Sequence, residues 1–153
     1  MRAMLIDDER INDITRRIIA AAIEVHRVLG PGLLESIYLQ CLLSKLATQG
    51  LQFAVQRVLP VHYKGKCLDT SYRVDLIVEE LVIVEIKCVD TLLPVHHAQT
   101  LTYLRVTNLP AALLINFSVP RLVDGVKRLV NTRPPVARRV EAPAVDVQGQ
   151  VST

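Results

Sequence analysis

The sequence is poor in cysteine and in aromatic residues. Its 153 residues include three cysteines and no tryptophan, and aromatic residues make up only 4%. An odd number of cysteines, widely spaced and without a C-x-x-C pair, argues against both a disulfide framework and a zinc site. We therefore expect Cys41, Cys67 and Cys88 to be reduced thiols in the core.

Long hydrophobic runs are also missing. Half of the residues are hydrophobic, yet no uninterrupted apolar run approaches the roughly 20 residues that a membrane-spanning helix needs. The first residues, MRAMLIDDERINDI, are acidic where an export signal would be basic and then apolar. We expect a cytoplasmic protein with no membrane partner. A net charge of +3 neither requires nor excludes a polyanionic partner.

Apolar residues at spacings of three and four predict two helices in the first third of the chain. The first covers about 8–28, and the sequence LGPG ends it. The second covers about 33–47, with Gly50 just beyond its end. The predicted apolar stripes are Ile11, Ile14, Ile18, Ala22 and Val25 in the first helix, and Leu34, Ile37, Cys41, Leu42 and Leu46 in the second.

The pattern becomes strand-like between residues 52 and 87, where turns at 64–66 and near 79–80 divide it into a meander. Beyond the meander we expect helices from Pro94 to about Val106 and from Pro120 to about Val130, with a short buried strand, 111–116, between them. This order predicts a single α/β domain, residues 1–130, in which helices flank a mixed sheet. Residues 131–153 show no helical or strand period, and we expect a mobile tail there.

The apolar strand VIVEIK contains two charges. Glu85 and Lys87 point to the same side of the strand because side chains in a strand alternate. Burying them costs several kcal/mol each unless they are paired or bound to an ion. A second acidic residue, Asp75, precedes Glu85 by ten positions within the same meander. The charges therefore call for a compensating partner.

The length of the loop between the two strands decides whether the carboxylates meet. A two-residue loop, 79–80, leaves Asp75 and Glu85 on opposite faces, whereas a three-residue loop, 79–81, pairs them directly. We expect the three-residue loop, because it also gathers an apolar set on one face. That set is Leu76, Val78, Val82, Val84 and Ile86.

Two opposed carboxylates repel each other, and either a proton or a cation relieves the repulsion. Mg²⁺ and Mn²⁺ suit such oxygen ligands, since they take one or two carboxylates together with waters and phosphate oxygens. Lys87 would then lie beside a metal-bound water or a phosphate oxygen, which is the layout for metal-assisted hydrolysis. The spacing alone leaves an alternative open, a structural ion-pair cluster formed by the same three residues.

Several blocks of the sequence resemble one enzyme superfamily. Asp75 followed by EIK at 85–87 resembles the D…(D/E)xK signature of the PD-(D/E)XK nucleases. The stretch GLLESIY resembles the GxxExxY motif of one branch of that superfamily, at Gly32, Glu35 and Tyr38. The blocks VHRVLGPG, VHHAQTLTYL and LLINF extend the resemblance to about residues 18–130.

The resemblance implies a restriction-endonuclease-like core and a role for each motif residue. Asp75, Glu85 and the Ile86 carbonyl would bind Mg²⁺ or Mn²⁺, Glu35 would assist from the preceding helix, and Lys87 would act at the attacking water. Taken without the resemblance, Glu35 reads as a solvated glutamate and Tyr38 as a tyrosine at the edge of the core.

Two further residues resemble the Q-x-x-x-Y element of exonuclease-like members. Gln99 and Tyr103 lie four positions apart and therefore share a helix face. The resemblance gives them a part in the active site or in nucleic-acid binding, and the alternative is a surface glutamine beside a half-buried tyrosine. The roles of His26, His96 and His97 stay open.

These observations predict a metal-dependent nuclease that hydrolyses phosphodiester bonds in nucleic acid, with DNA as the expected substrate. The alternative is a binding or assembly module that has a nuclease fold but no significant catalysis of its own. The short chain offers no obvious recognition domain, so a homo-oligomer or a protein partner could supply recognition. The sequence does not separate endonuclease from exonuclease action.

Overall fold

The computed structural model describes residues 2–132, with side chains from residue 8 onward. The predicted mobile tail lies outside the described residues from position 133 on. In chain order the elements are helices α1 (Arg2–Leu29) and α2 (Glu35–Thr48), strands β1 (Phe53–Tyr63), β2 (Lys66–Val78) and β3 (Val82–Lys87), helix α3 (Pro94–Thr107), strand β4 (Ala111–Asn116), a 3₁₀ turn (Leu122–Gly125) and strand β5 (Val126–Val130).

The five strands form one mixed sheet in the order β1-β2-β3-β4-β5. Strands β3 and β4 are parallel, and every other neighbouring pair is antiparallel. Helix α3 makes the crossover that two parallel neighbours require. The predicted α/β architecture, a mixed sheet flanked by helices, is confirmed.

Each face of the sheet has its own apolar core. Helices α1 and α2 pack on one face, where the predicted α1 stripe and the predicted strand set from Leu76 to Ile86 are all buried. Helix α3 covers the other face, where Tyr103 and Leu104 join a cluster with Ile77 and Ile83. Strand β3 therefore sends Val82, Val84 and Ile86 towards α1 and α2, and Ile83 towards α3.

The apolar stripe predicted for α2 is partly wrong. Leu34 is 70% exposed and Ile37 is 39% exposed, whereas Tyr38, Leu42 and Leu46 are buried. The helix begins at Glu35, and the spacing of four between these three buried residues sets the face that meets the core.

The helix predicted from Pro120 to Val130 is wrong. Only a single 3₁₀ turn forms, and residues from Val126 onward pair with β4 as an antiparallel strand. All six residues of β4 are buried, and a buried strand must satisfy the backbone groups along both of its edges. Pairing with β4 therefore overrides the helical spacing of the last apolar residues.

The cysteine prediction holds only in part. All three cysteines are free, and Cys41 and Cys88 are half-buried, but Cys67 is exposed in strand β2. Within the described residues, no helix is both long enough and apolar enough to cross a membrane.

Candidate active site

The β2–β3 hairpin brings the two predicted carboxylates together. Val78 pairs with Val82 and Leu76 with Val84, so the loop has three residues, as predicted. Glu79 and Glu80 in this loop both adopt the left-handed conformation, with φ of 52°. Asp75 and Glu85 occupy the next position beyond the last paired residues.

At this position, hydrogen bonds from the backbone to side-chain carboxylates take the place of hydrogen bonds between the two backbones. The backbone N–H of Asp75 donates to Glu85 Oε1 at 2.9 Å, and the backbone N–H of Ile86 donates to Asp75 Oδ2 at 2.9 Å. Each carboxylate thus accepts a backbone N–H of the opposite strand. The two strands hold the acidic groups against each other at the point where their pairing ends.

Electrostatics make this pair unusual. Burial, and next the repulsion by Asp75, raise the pKa of Glu85 to about 8. Burial is also the main cause of the raised pKa of Asp75, while the hydrogen bond from Ile86 and the charge of Lys87 act in the lowering direction. Near neutral pH the pair therefore retains a proton, and the charge of Lys87 compensates the two carboxylates only in part.

Glu35 reaches the same site from α2, the helix on the face of the sheet opposite to α3. It is the first residue of α2, and its Oε1 accepts a hydrogen bond from the backbone N–H of Cys88, just past β3, at 3.3 Å. Burial, and next the charge of Glu35, raise the pKa of the Cys88 thiol. Glu35 also lines a pocket of about 270 Å³ together with Asp75 and Ile86; the other lining residues are Ser36, Leu39 and Gln56.

Tyr38 fixes the start of α2 and with it the position of Glu35. Its hydroxyl donates to the Gly30 carbonyl and accepts from the backbone N–H of Leu33 at 3.2 Å. Its ring is buried and stacks on Phe117, with 4.4 Å between the ring centroids. The tyrosine of the GxxExxY stretch therefore anchors the loop that leads into the helix.

Gly32 shapes the loop that leads into α2. It precedes α2 and does not lie on the helix. Its φ of +96° is one that side chains rarely adopt, and a Cβ there would meet nothing within 4 Å. The loop requires glycine for its backbone conformation, not for a close approach to a neighbour.

Helix α3 brings Tyr103 near the carboxylate pair, with the exposed Gln99 beside it. Tyr103 is buried, and its ring meets that of Tyr72 edge-on at 5.6 Å. Burial, followed by the charges of Glu85 and Asp75, raises the pKa of Tyr103 to about 12, while a hydrogen bond with Gln99 acts in the opposite direction. Tyr103 is therefore a protonated hydroxyl donor across the neutral pH range.

Two of the three histidines considered have structural contacts. His26 is buried, and its Nε2 lies 2.8 Å from the carbonyl oxygen of Val119. His96 Nδ1 accepts the backbone N–H of Leu93 at 3.0 Å and so caps α3. His97 is exposed. Neither His26 nor His96 lines the pocket that Glu35 and Asp75 share.

Gln56 is a pocket residue that the sequence did not suggest. It lies opposite Asp75, between the pairs Val55–Leu76 and Arg57–Val74, and its φ of 54° is left-handed. A non-glycine residue in this conformation costs roughly 1 kcal/mol or more.

The face of the hairpin changes at this position. On β2, Leu76 packs against α1 and α2, whereas Val74 packs in the cluster beneath α3. On β1, Phe53 packs against α1 and α2, whereas Leu59 packs in the cluster beneath α3. Strict alternation would place both residues of each pair on one face. Gln56 thus acts like a bulge that redirects the hairpin beside the carboxylates.

The oxygen donors of this site fit a hard divalent cation. Within the described part of the chain, no group of three or more histidine, cysteine or acidic side chains is arranged to hold a metal ion. Asp75 and Glu85 would nevertheless supply the two carboxylates that Mg²⁺-type sites use with waters and substrate oxygens, and the Ile86 carbonyl would be a further oxygen donor. Zinc prefers nitrogen and sulfur ligands, which this donor set lacks.

The comparison with known protein families agrees with this geometry. A family model of the PD-(D/E)XK nuclease superfamily matches residues 12–129. No curated protein and no solved structure matches the chain significantly. Because the family match covers most of the sequence, the chain belongs to the PD-(D/E)XK nuclease superfamily.

Proposed function

We propose that this member of the superfamily hydrolyses phosphodiester bonds in DNA with the help of Mg²⁺ or Mn²⁺. One observation carries the proposal: Asp75 and Glu85 are held against each other at the end of the β2–β3 ladder, with Lys87 on the face that Glu85 shares. A structural ion-pair cluster would need balanced charges. Here the pKa of both carboxyl groups is raised, although Lys87 is near.

Asp75, Glu85 and the Ile86 carbonyl would hold the cation. A cation at these oxygens would polarise the scissile phosphate and acidify a bound water. Lys87 donates hydrogen bonds from its ammonium group to the attacking water or to a phosphate oxygen, and it offsets the negative charge that develops there. Glu35 accepts hydrogen bonds at the rim of the pocket and orients water at the end of β3.

Two residues of α3 act on the substrate side. Tyr103 stays protonated at neutral pH, because its pKa is raised to about 12, so its hydroxyl donates a hydrogen bond to a phosphate oxygen. Gln99 orients that hydroxyl. The Gly32–Glu35–Tyr38 stretch, with Tyr38 anchoring the loop, supports assignment of the chain to the GxxExxY branch.

Cleavage assays test this proposal directly. Labelled single- and double-stranded DNA and RNA are incubated with the protein and Mg²⁺ or Mn²⁺, and we expect cleavage of DNA. Asp75→Asn, Glu85→Gln and Lys87→Ala should each reduce cleavage by at least about 100-fold. Asp124→Asn makes the same isosteric change at an exposed position outside the site and should cut like the wild type.

The opposite results are equally informative. Cleavage that persists in all three variants would come from another site or from a contaminant, and the assignment would be wrong. A folded wild type that binds DNA but cuts none of the substrates with either ion would instead support a binding module with a nuclease fold.

A further inference from the structure

The β1–β2 hairpin extends well beyond the candidate active site. Pairing between β2 and β3 stops at Leu76, and β1 is the edge strand of the sheet. From Pro60 to Arg73 the hairpin, here called the arm, continues as a two-stranded ribbon. Every side chain in the arm is exposed except the half-buried Val61 and Tyr72. A ribbon of this kind has little stability of its own.

The arm is rooted at the carboxylate pair. Asp75 and Gln56 lie at its base, and Tyr72 connects that base to α3 through its edge-on contact with Tyr103. Along β1, seven residue steps lead from Gln56, opposite Asp75, to Tyr63 at the tip, and at about 3.3 Å per step they span roughly 23 Å. That length equals about seven nucleotide steps at 3.4 Å each.

The charge of the arm is mainly positive. It contains Lys64, Lys66 and Arg73, against a single acidic residue, Asp69. Among the described residues, no salt bridge involves any of these three cations. Arg57, just before the arm, differs in this respect, because Glu80 binds its guanidinium with both carboxylate oxygens.

The tip of the arm combines basic and aromatic groups. The turn Lys64–Gly65 places both residues at positive φ, of 50° and 76°. Tyr63 is 61% exposed, and the Lys64 ammonium lies 5.4 Å from the centre of its ring. Exposed aromatic rings beside lysines are suited to a polyanion that also carries flat bases.

We propose that the arm is the nucleic-acid-binding element of this protein. Its three cations contact phosphates on one side of the scissile bond, over about seven nucleotide steps. The inference rests on the proposed function for the class of ligand, but it assigns binding to a surface outside the carboxylate site.

A binding experiment without divalent ions tests the arm separately from catalysis. The variant Lys64→Asn/Lys66→Thr/Arg73→Thr removes the three charges while keeping residue types that suit a left-handed turn position and strands. Fluorescence anisotropy with a labelled 30-base-pair DNA duplex measures affinity over a range of salt concentrations. A matched control, Arg16→Gln/Arg27→Gln/Arg121→Thr, removes three exposed cations elsewhere.

We expect the arm variant to bind at least about tenfold more weakly than the control at low salt. The slope of log affinity against log salt should fall by about 2 to 3, since each phosphate contact contributes roughly 0.9. Equal melting temperatures of the two variants show that the fold is kept. If both bind DNA equally well, the inference is wrong, even when the wild type cleaves DNA.

The remaining outcomes separate the two proposals. Arm-dependent binding by a wild type that cuts nothing supports the arm and contradicts the proposed catalysis. If the wild type does not bind DNA, sedimentation velocity measures the oligomeric state of the wild type and of the arm variant. If that protein sediments as a dimer and the arm variant as a monomer, the arm is a surface for a second copy and the inference is overturned.

Discussion

At the scale of single residues, the carboxylate pair makes stability depend on pH in an uncommon direction. The pKa of Glu85 is raised from 4.5 to about 8 in the folded protein. Between these values the folded state binds more protons than the unfolded chain, so the free energy of unfolding falls as pH rises through this window. The melting temperature of the metal-free protein should therefore fall between about pH 6 and about pH 8.5.

Glu85→Gln removes the titrating group and should flatten this part of the profile, with the variant more stable than the wild type at about pH 8.5. Differential scanning calorimetry in the presence of a chelator measures the effect. The exposed Glu24 provides the control, since Glu24→Gln should keep the wild-type slope. If Glu85→Gln and the wild type show the same slope, the pair is not protonated as described.

Strand alternation was sufficient to predict the meeting of Asp75 and Glu85, because only one loop length also buries the apolar set on one face. The position of Gln56 could not be predicted in this way. Counted from the turn, where Tyr63 pairs with Lys66, Gln56 would face Arg73. A register shift between Pro60 and His62 moves it to a place opposite Asp75. Nothing in the sequence marks that shift apart from the proline, which lacks a ladder donor.

At the scale of elements, the loop before α2 determines where the helix presents Glu35. Tyr38→Phe keeps the ring on Phe117 but removes the hydroxyl that binds Gly30 and Leu33. Unpaired backbone groups cost about 1 to 3 kcal/mol, which corresponds to roughly 2 to 12 °C in melting temperature for a domain of this size. Because the start of the helix loosens, cleavage should also fall by roughly 10- to 100-fold.

The exposed tyrosine Tyr63 supplies the comparison for this change. Tyr63→Phe should leave the melting temperature unchanged, because Tyr63 is exposed. Thermal melts of both variants can be measured side by side, and the cleavage rate of Tyr38→Phe is compared with that of the wild type. A Tyr38→Phe protein as stable and as active as the wild type would show that the loop does not depend on this hydroxyl.

At the scale of elements, the spacing of apolar residues also led to one wrong prediction. Leu122, Val126 and Leu129 have helical spacing, but Val126 and Leu129 belong to strand β5. Gly125 ends the preceding turn at a point where an added Cβ would lie 2.3 Å from the carbonyl oxygen of Asn116. Pairing with β4 determines the structure of this segment, and a local sequence pattern carries no information about such long-range pairing. Local signals predicted the end of α1 and both ends of α3 to within one residue, whereas α1 begins at Arg2, six residues before its predicted start.

At the scale of the whole molecule, one ion should change the stability of the entire fold. The acidic pair joins β2 to β3, and β3 lies at the centre of the sheet. A divalent cation bound to these oxygens therefore binds the folded state and not the unfolded chain. Folding gains about 1.4 kcal/mol when the ion is present at roughly ten times its dissociation constant. This should raise the melting temperature by about 3 to 6 °C.

Scanning calorimetry at matched ionic strength separates this binding from simple charge screening. Mg²⁺ or Mn²⁺ should stabilise the wild type, whereas Asp75→Asn should lose the increment. Without the ion, Asp75→Asn should be no less stable than the wild type, because an asparagine oxygen can still accept the Ile86 N–H and the repulsion with Glu85 disappears. A structural ion-pair cluster predicts the reverse, with a destabilised variant and a wild type indifferent to either ion. That result would contradict the metal site even if DNA cleavage were observed, because the cleavage would then need another centre.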